Sequence, residues 1–135
     1  GLGISQFKQL LKFNKQRRMI AKKYDNFFKK LPDKFYVQKV NSNLTHSYQM
    51  YSILINSKYR NTLLYYLKKN NIEASAHFDP PLHQQKYLKK YSKKLPNTEK
   101  LAKEIITLPI YPRLKQRDLN RIFKIIKNWY KKNKK

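Results

Sequence analysis

Apolar residues recur at spacings of three and four from Ile4 to Phe28, through Phe7, Leu10, Leu11, Met19, Ile20, Tyr24 and Phe27. That period predicts one long amphipathic helix, with Lys and Gln on its opposite face. Pro32 ends it, because the residue before a proline is pushed out of the helical region. Residues 34–40 alternate weakly and predict an edge strand, and 41–45 read as a loop by composition. Residues 48–55 (YQMYSILI) carry no charge and suit a strand with at least one buried face. A helix over 58–70 comes next, with Tyr59, Leu63, Tyr66 and Leu67 on one stripe. A second short strand is predicted over 73–78. Asp79, Pro80 and Pro81 then break the chain with an extended turn.

Residues 83–91 read as a short helix or structured loop. Asn97 is placed to cap a helix over 98–107, with Leu101, Ile105 and Leu108 at helical spacing. A helix over 116–130 carries Leu119, Ile122, Phe123, Ile126 and Trp129 or Tyr130 on its apolar face, and 131–135 is a frayed basic tail. The order predicts an α+β domain: a long N-terminal helix and a small two- to three-stranded sheet covered by helices. So thin a sheet keeps an exposed face, a hint that it packs on something else.

Composition narrows the chemistry. The chain has 135 residues, enough for one domain with its own core. Cysteine is absent, which removes disulfides, Cys-ligated metal and thiol nucleophiles. The only two glycines, Gly1 and Gly3, stand at the start, so no Gly-rich phosphate loop exists here. The formal charge is +25, a balance that points to polyanions. Yet 26 of the 32 basic residues are lysine, whereas base-specific and bidentate recognition favours Arg. No secretory signal and no apolar run long enough for a membrane span are present, so a cytoplasmic protein is expected. There is no initiating Met, and a fragment is the working expectation.

His77, Asp79 and His83 lie close together in HFDPPLH. Two imidazoles and a carboxylate at that spacing have the donor types of a cation site, but no further ligand is evident, and no metal is expected. The simpler reading is a proline-stiffened loop whose histidines meet a phosphate or a sugar hydroxyl. A Ser-His-Asp hydrolase lacks its glycine turn. Glu99 and Glu104 do not share a helix face and read as surface partners of lysines. Lysines and tyrosines interleave over 86–94 (KYLKKYSKK). That mixture is similar to single-strand binding surfaces, but the favoured reading is the solvated face of helices whose other face carries Leu88 and Tyr91.

Several stretches, in order, resemble one family. GLGISQFKQL, RRMIAKKY, HSYQMYSILI, SAHFDPPLHQQ and EKLAKEIITLPIYPRL, together with the last helix, are similar to the C-terminal part of the DegT/DnrJ/StrS sugar aminotransferases. The resemblance runs from residue 1 to about residue 130. It implies the small domain of a fold type I pyridoxal-phosphate aminotransferase over residues 1–135, a homodimer in the full enzyme. Amino transfer from glutamate (which leaves as 2-oxoglutarate) to a nucleotide-linked keto sugar is implied with it. The lysine carrying the cofactor as a Schiff base belongs, by the same resemblance, to a large N-terminal domain absent here. The 135 residues alone are then expected to be inactive and to bind no cofactor. His77, Phe78, His83 and Gln85 match the family loop beside the active-site mouth and are expected to contact sugar or diphosphate. His46 and Tyr48 match a segment near the same cleft. Tyr111, between two prolines, is expected mainly to pack. Lys115, Gln116 and Arg117 replace an acidic family stretch. The alternative is a stand-alone basic module binding nucleic acid or another polyanion.

Overall fold

The computed structural model describes residues 1–133, the Leu2 side chain excepted. Two N-terminal helices, α1 (Leu2–Phe7) and α2 (Leu10–Phe28), stand where one long helix is expected. They part at Lys8 and Gln9. Around that break Ile4, Phe7 and Leu11 are 68–82% exposed, so no packing enforces a continuous helix. Only the second half of α2 is anchored, through Ile20, Ala21, Tyr24 and Phe28.

Three strands come after the helices: β1 (Phe35–Val37), β2 (Tyr51–Ile55) and β3 (Ile105–Leu108). They form an antiparallel sheet in the order β1-β2-β3. Period-two alternation puts Phe35, Tyr51, Ile53, Ile55, Ile106 and Leu108 on one buried face. Against that face lie α2, α3 (Ser57–Lys69) and α5 (Gln116–Lys132). From α5 come Leu119, Ile122, Ile125, Ile126 and Trp129, and from α3 Leu63 and Leu67. Aromatic rings finish the packing. Tyr24 stacks on Tyr51 at 4.6 Å, and Phe27 on Phe123 at 4.3 Å. The opposite sheet face stays partly open: Tyr36 is 65% exposed, and Ser52 and Leu54 are half-buried.

Caps obey the sequence where the signal is local. The Asn56 side chain accepts the Lys58 N–H at 2.9 Å and starts α3. Asn71 takes a left-handed φ of 55° just after α3, where asparagine is tolerated.

Three further expectations are corrected. The helix placed over 98–107 is α4 (Pro96–Glu104), and Ile105 to Leu108 is strand β3. The run Ile105-Ile106-Thr107 is β-branched and finds hydrogen-bonding partners on β2, which outweighs its helical spacing. Leu95, not Asn97, is the N-cap of α4, because Pro96 takes the first helical position. The strand expected over 73–78 reduces to one bridge, Ser75 with Thr107, closed by hydrogen bonds of 3.2 and 2.8 Å. The basic tail begins inside α5, and Lys134 and Lys135 lie outside the described residues. Among the described residues no helix is long and apolar enough to cross a membrane.

Candidate functional site

The loop after Ser75 is held by polar contacts. Its bridge to β3 is antiparallel, so the chain leaving Ser75 heads toward the Ile105 end of that strand. His77 Nδ1 lies 2.8 Å from Ser75 Oγ. Phe78 is 69% exposed, with a left-handed φ of 62°, and its ring centroid is 6.1 Å from that of His77. The peptide bond between Asp79 and Pro80 is cis. Gln85 turns back and donates through Nε2 to the Pro80 carbonyl at 2.8 Å. Two short 3-10 turns, Leu82–Gln84 and Lys86–Tyr91, carry the chain onward to α4.

Arg60 fastens this loop to the body. It is 8% exposed, a rare burial for a charged residue. Its Nε donates to the Lys103 carbonyl at 3.0 Å and its Nη2 to the Ala102 carbonyl at 3.3 Å. The same Nη2 pairs with the Asp79 carboxylate. One guanidinium therefore ties α3, the end of α4 and the loop. At the far end of the loop, His83 Nε2 lies 3.3 Å from Glu99 Oε1. That oxygen also accepts the Leu95 N–H at 2.9 Å, capping α4. The Leu95 N–H first, and His83 second, hold the Glu99 carboxyl below its ordinary value.

His46 and Tyr48 sit elsewhere, just before β2 and beside α2. Tyr51 at the start of β2 pairs with Leu108 at the far end of β3. This pair therefore lies toward the opposite end of the sheet from His77. The Tyr48 N–H donates to His46 Nδ1 at 2.9 Å, and the two rings lie 4.4 Å apart. Tyr48 has a left-handed φ of 49°, an uncommon conformation for an aromatic residue. Burial first, then the Asp25 carboxylate, raises the Tyr48 phenol above its ordinary value. Asp25 Oδ1 accepts the Tyr51 O–H at 2.7 Å, and burial and this bond raise the Tyr51 phenol further. A cleft of about 360 Å³ opens here between α2 and the 40–48 loop.

The expected residues thus fall into two groups, His77, Phe78, His83 and Gln85 in one and His46 and Tyr48 in the other. Tyr111, expected to pack, is 47% exposed and lines a second cleft, of about 880 Å³, with Lys68, Ser75, Asp118 and Arg121. Asp79 is engaged by Arg60, His83 by Glu99 and His77 by Ser75. Among the described residues no three His, Asp or Glu side chains gather as metal ligands. Sequence reasoning missed Arg60, although the signal was present. It lies three residues before Leu63 and seven before Leu67, on the buried stripe of α3.

Comparison with known proteins decides the family. The DegT/DnrJ/EryC1/StrS aminotransferase profile matches residues 1–127. This chain belongs to that family. An uncharacterized protein of Methanocaldococcus jannaschii is 31% identical over 98% of this chain and 36% of its own length. The spore coat polysaccharide biosynthesis protein SpsC of Bacillus subtilis is 27% identical, over 94% of this chain and 34% of its own. Among solved structures, PseC of Helicobacter pylori, an aminotransferase involved in pseudoaminic acid biosynthesis, superimposes with a TM-score of 0.84. It is 25% identical, over 97% of this chain and 36% of its own. The family's aminotransferase from Brucella abortus gives the same TM-score and identity, over 94% of this chain and 34% of its own. The chain therefore spans about a third of the length of the relatives it matches.

Pyridoxal phosphate needs a lysine in a water-excluded pocket. Among the described residues no lysine is buried. The half-buried Lys34 has its ammonium 3.9 Å from the Tyr59 ring centroid instead.

Proposed function

We infer that residues 1–135 are the small C-terminal domain of a pyridoxal-phosphate aminotransferase. In the full enzyme, amino transfer would run from glutamate, leaving as 2-oxoglutarate, to a nucleotide-linked keto sugar. The observation that carries this reading is the family match across residues 1–127, by a chain only a third as long as its relatives. The dTDP-3-amino-3,6-dideoxy-alpha-D-galactopyranose transaminase of Aneurinibacillus thermoaerophilus, 26% identical over 86% of this chain, supports the substrate class. When bound, the cofactor supplies the electron sink for amino transfer. It belongs in this reading to the large domain, which is supported by the absence of a buried lysine among the described residues. The domain's own share is binding: the 77–85 loop and the His46–Tyr48 corner present imidazole, phenol and amide groups to the sugar and diphosphate. Homodimerisation and a cytoplasmic location complete the proposal.

The test is the upstream coding sequence and its product. The full-length protein is expected to form 2-oxoglutarate from glutamate, and the 135-residue chain alone is expected to form none. An upstream sequence without a cofactor-binding lysine domain overturns the reading.

A second reading draws on one observation. Lys86, Lys89, Lys90, Lys93 and Lys94 are all exposed, and none is in an ion pair among the described residues. A stand-alone polyanion binder would lose affinity for single-stranded DNA with salt, log K falling by about 0.7 per neutralised phosphate. Absence of binding at low salt removes it.

A further inference from the structure

The cleft beside α2 has a donor set that the sequence motifs do not account for. Arg18 and Lys22 lie one helical turn apart on α2 and line the cleft with Asp25, Thr45, His46 and Tyr48. Neither cation forms a hydrogen bond or ion pair among the described residues, although Asp25 lines the same cleft. Asp25 is occupied otherwise, through the Tyr51 O–H at 2.7 Å. The backbone fixes the imidazole as well. Because His46 Nδ1 accepts the Tyr48 N–H, the neutral ring carries its proton on Nε2. No hydrogen bond among the described residues uses that Nε2–H. The chain then leaves this turn through the left-handed φ of Tyr48.

We propose that Arg18, Lys22 and His46 form a subsite for an oxyanion, a phosphoryl or carboxylate group of a small ligand. A guanidinium and an ammonium supply charge, and the imidazole N–H supplies a directed donor. The subsite shares His46 and Tyr48 with the proposed sugar-binding corner, but does not depend on the chain being an aminotransferase domain. Failure of transamination leaves it standing, and failure of anion binding leaves the family reading standing.

The test is nuclear magnetic resonance of the 135-residue chain at constant ionic strength in sodium chloride. Inorganic phosphate and glutarate are titrated separately. Saturable shifts of the His46 imidazole and of the Arg18 Nε–H are expected with at least one probe. Response to phosphate alone assigns a phosphoryl group, and response to glutarate alone assigns a carboxylate. Arg18→Gln and His46→Gln are each expected to weaken binding about tenfold. The charge-matched Lys127→Gln, exposed on α5, is expected to change nothing. Diffuse shifts across all basic segments, no saturation with either probe, or equal loss in Lys127→Gln overturns the proposal. An unchanged spectrum outside the cleft confirms that each variant is folded.

Discussion

The sheet's buried face and the 77–95 loop are built on different physics. The face is apolar: Tyr24, Ile53, Ile126 and Trp129 are at most 3% exposed and pack as rings and branched chains. The loop buries little apolar surface, and Leu82 and Phe78 are each 69% exposed. What holds it is a short series of polar ties: Arg60 to Asp79, Gln85 to Pro80, and His83 to Glu99. Apolar packing is non-directional and spread over many contacts, whereas each polar tie is single and geometric. The face should therefore fail globally and the loop locally, and the two should respond to pH at opposite ends of the scale.

The largest expected effect is on the face. Trp129→Ala leaves a cavity beside Phe35 and Tyr59 and should cost roughly 3–5 kcal/mol in urea unfolding. Arg60→Met comes next. It strips Asp79 and the Ala102 and Lys103 carbonyls of a donor, at about 2 kcal/mol. Its signature should be faster tryptic cleavage at the lysines of 86–94, with α5 still protected from amide exchange. Uniform loss of protection would erase the distinction between the two regions. Tyr51→Phe is expected to cost about 1 kcal/mol by leaving Asp25 without its phenol donor.

Near neutral pH the smallest effects are those of titration, which grow only toward the two ends of the scale. Tyr24 and Tyr51 have phenols raised above the ordinary value, mainly by burial. Their stabilisation is complete below the unfolded phenol value of about 10 and is lost as pH rises beyond it. Circular dichroism should register that loss as alkaline unfolding of the whole domain. Glu99 is shifted the other way. Its contribution is present above the ordinary carboxylate value and is lost as pH falls through its lowered one. Amide exchange at Leu95 should rise there, and in Glu99→Gln it should be raised at neutral pH. An acid transition that spared Leu95 would separate the cap from the loop.

The apolar region was largely legible in sequence. The α5 stripe, the Ile20–Phe28 half of the α2 stripe, the uncharged β2 run and the family motifs all rest on spacing and local order. Strand β3 was misread because Leu101, Ile105 and Leu108 fit helical spacing while Ile105, Ile106 and Thr107 suit a strand. Only the partner strand decides between them. The polar loop was legible as motifs and not as contacts. Nothing local in HFDPPLH announces that Asp79 meets an arginine 19 residues earlier, or that His83 meets Glu99 16 residues later. The separation of His46 and Tyr48 from His77 likewise depends on strand direction, which exists only once the sheet is formed.

Glu104 closes α4 and Ile105 opens β3 with no residue between them. No loop is available there to absorb a change in chain length. Each residue added to a helix rotates the downstream chain by about 100°, and each one added to a strand inverts its two faces. An insertion at this junction would turn Ile106 and Leu108 to solvent or unseat the two carbonyls that Arg60 reads. Natural length variation should therefore avoid this junction and collect in the exposed 41–45 stretch. A library of single-residue insertions scored for soluble folding would map that contrast position by position.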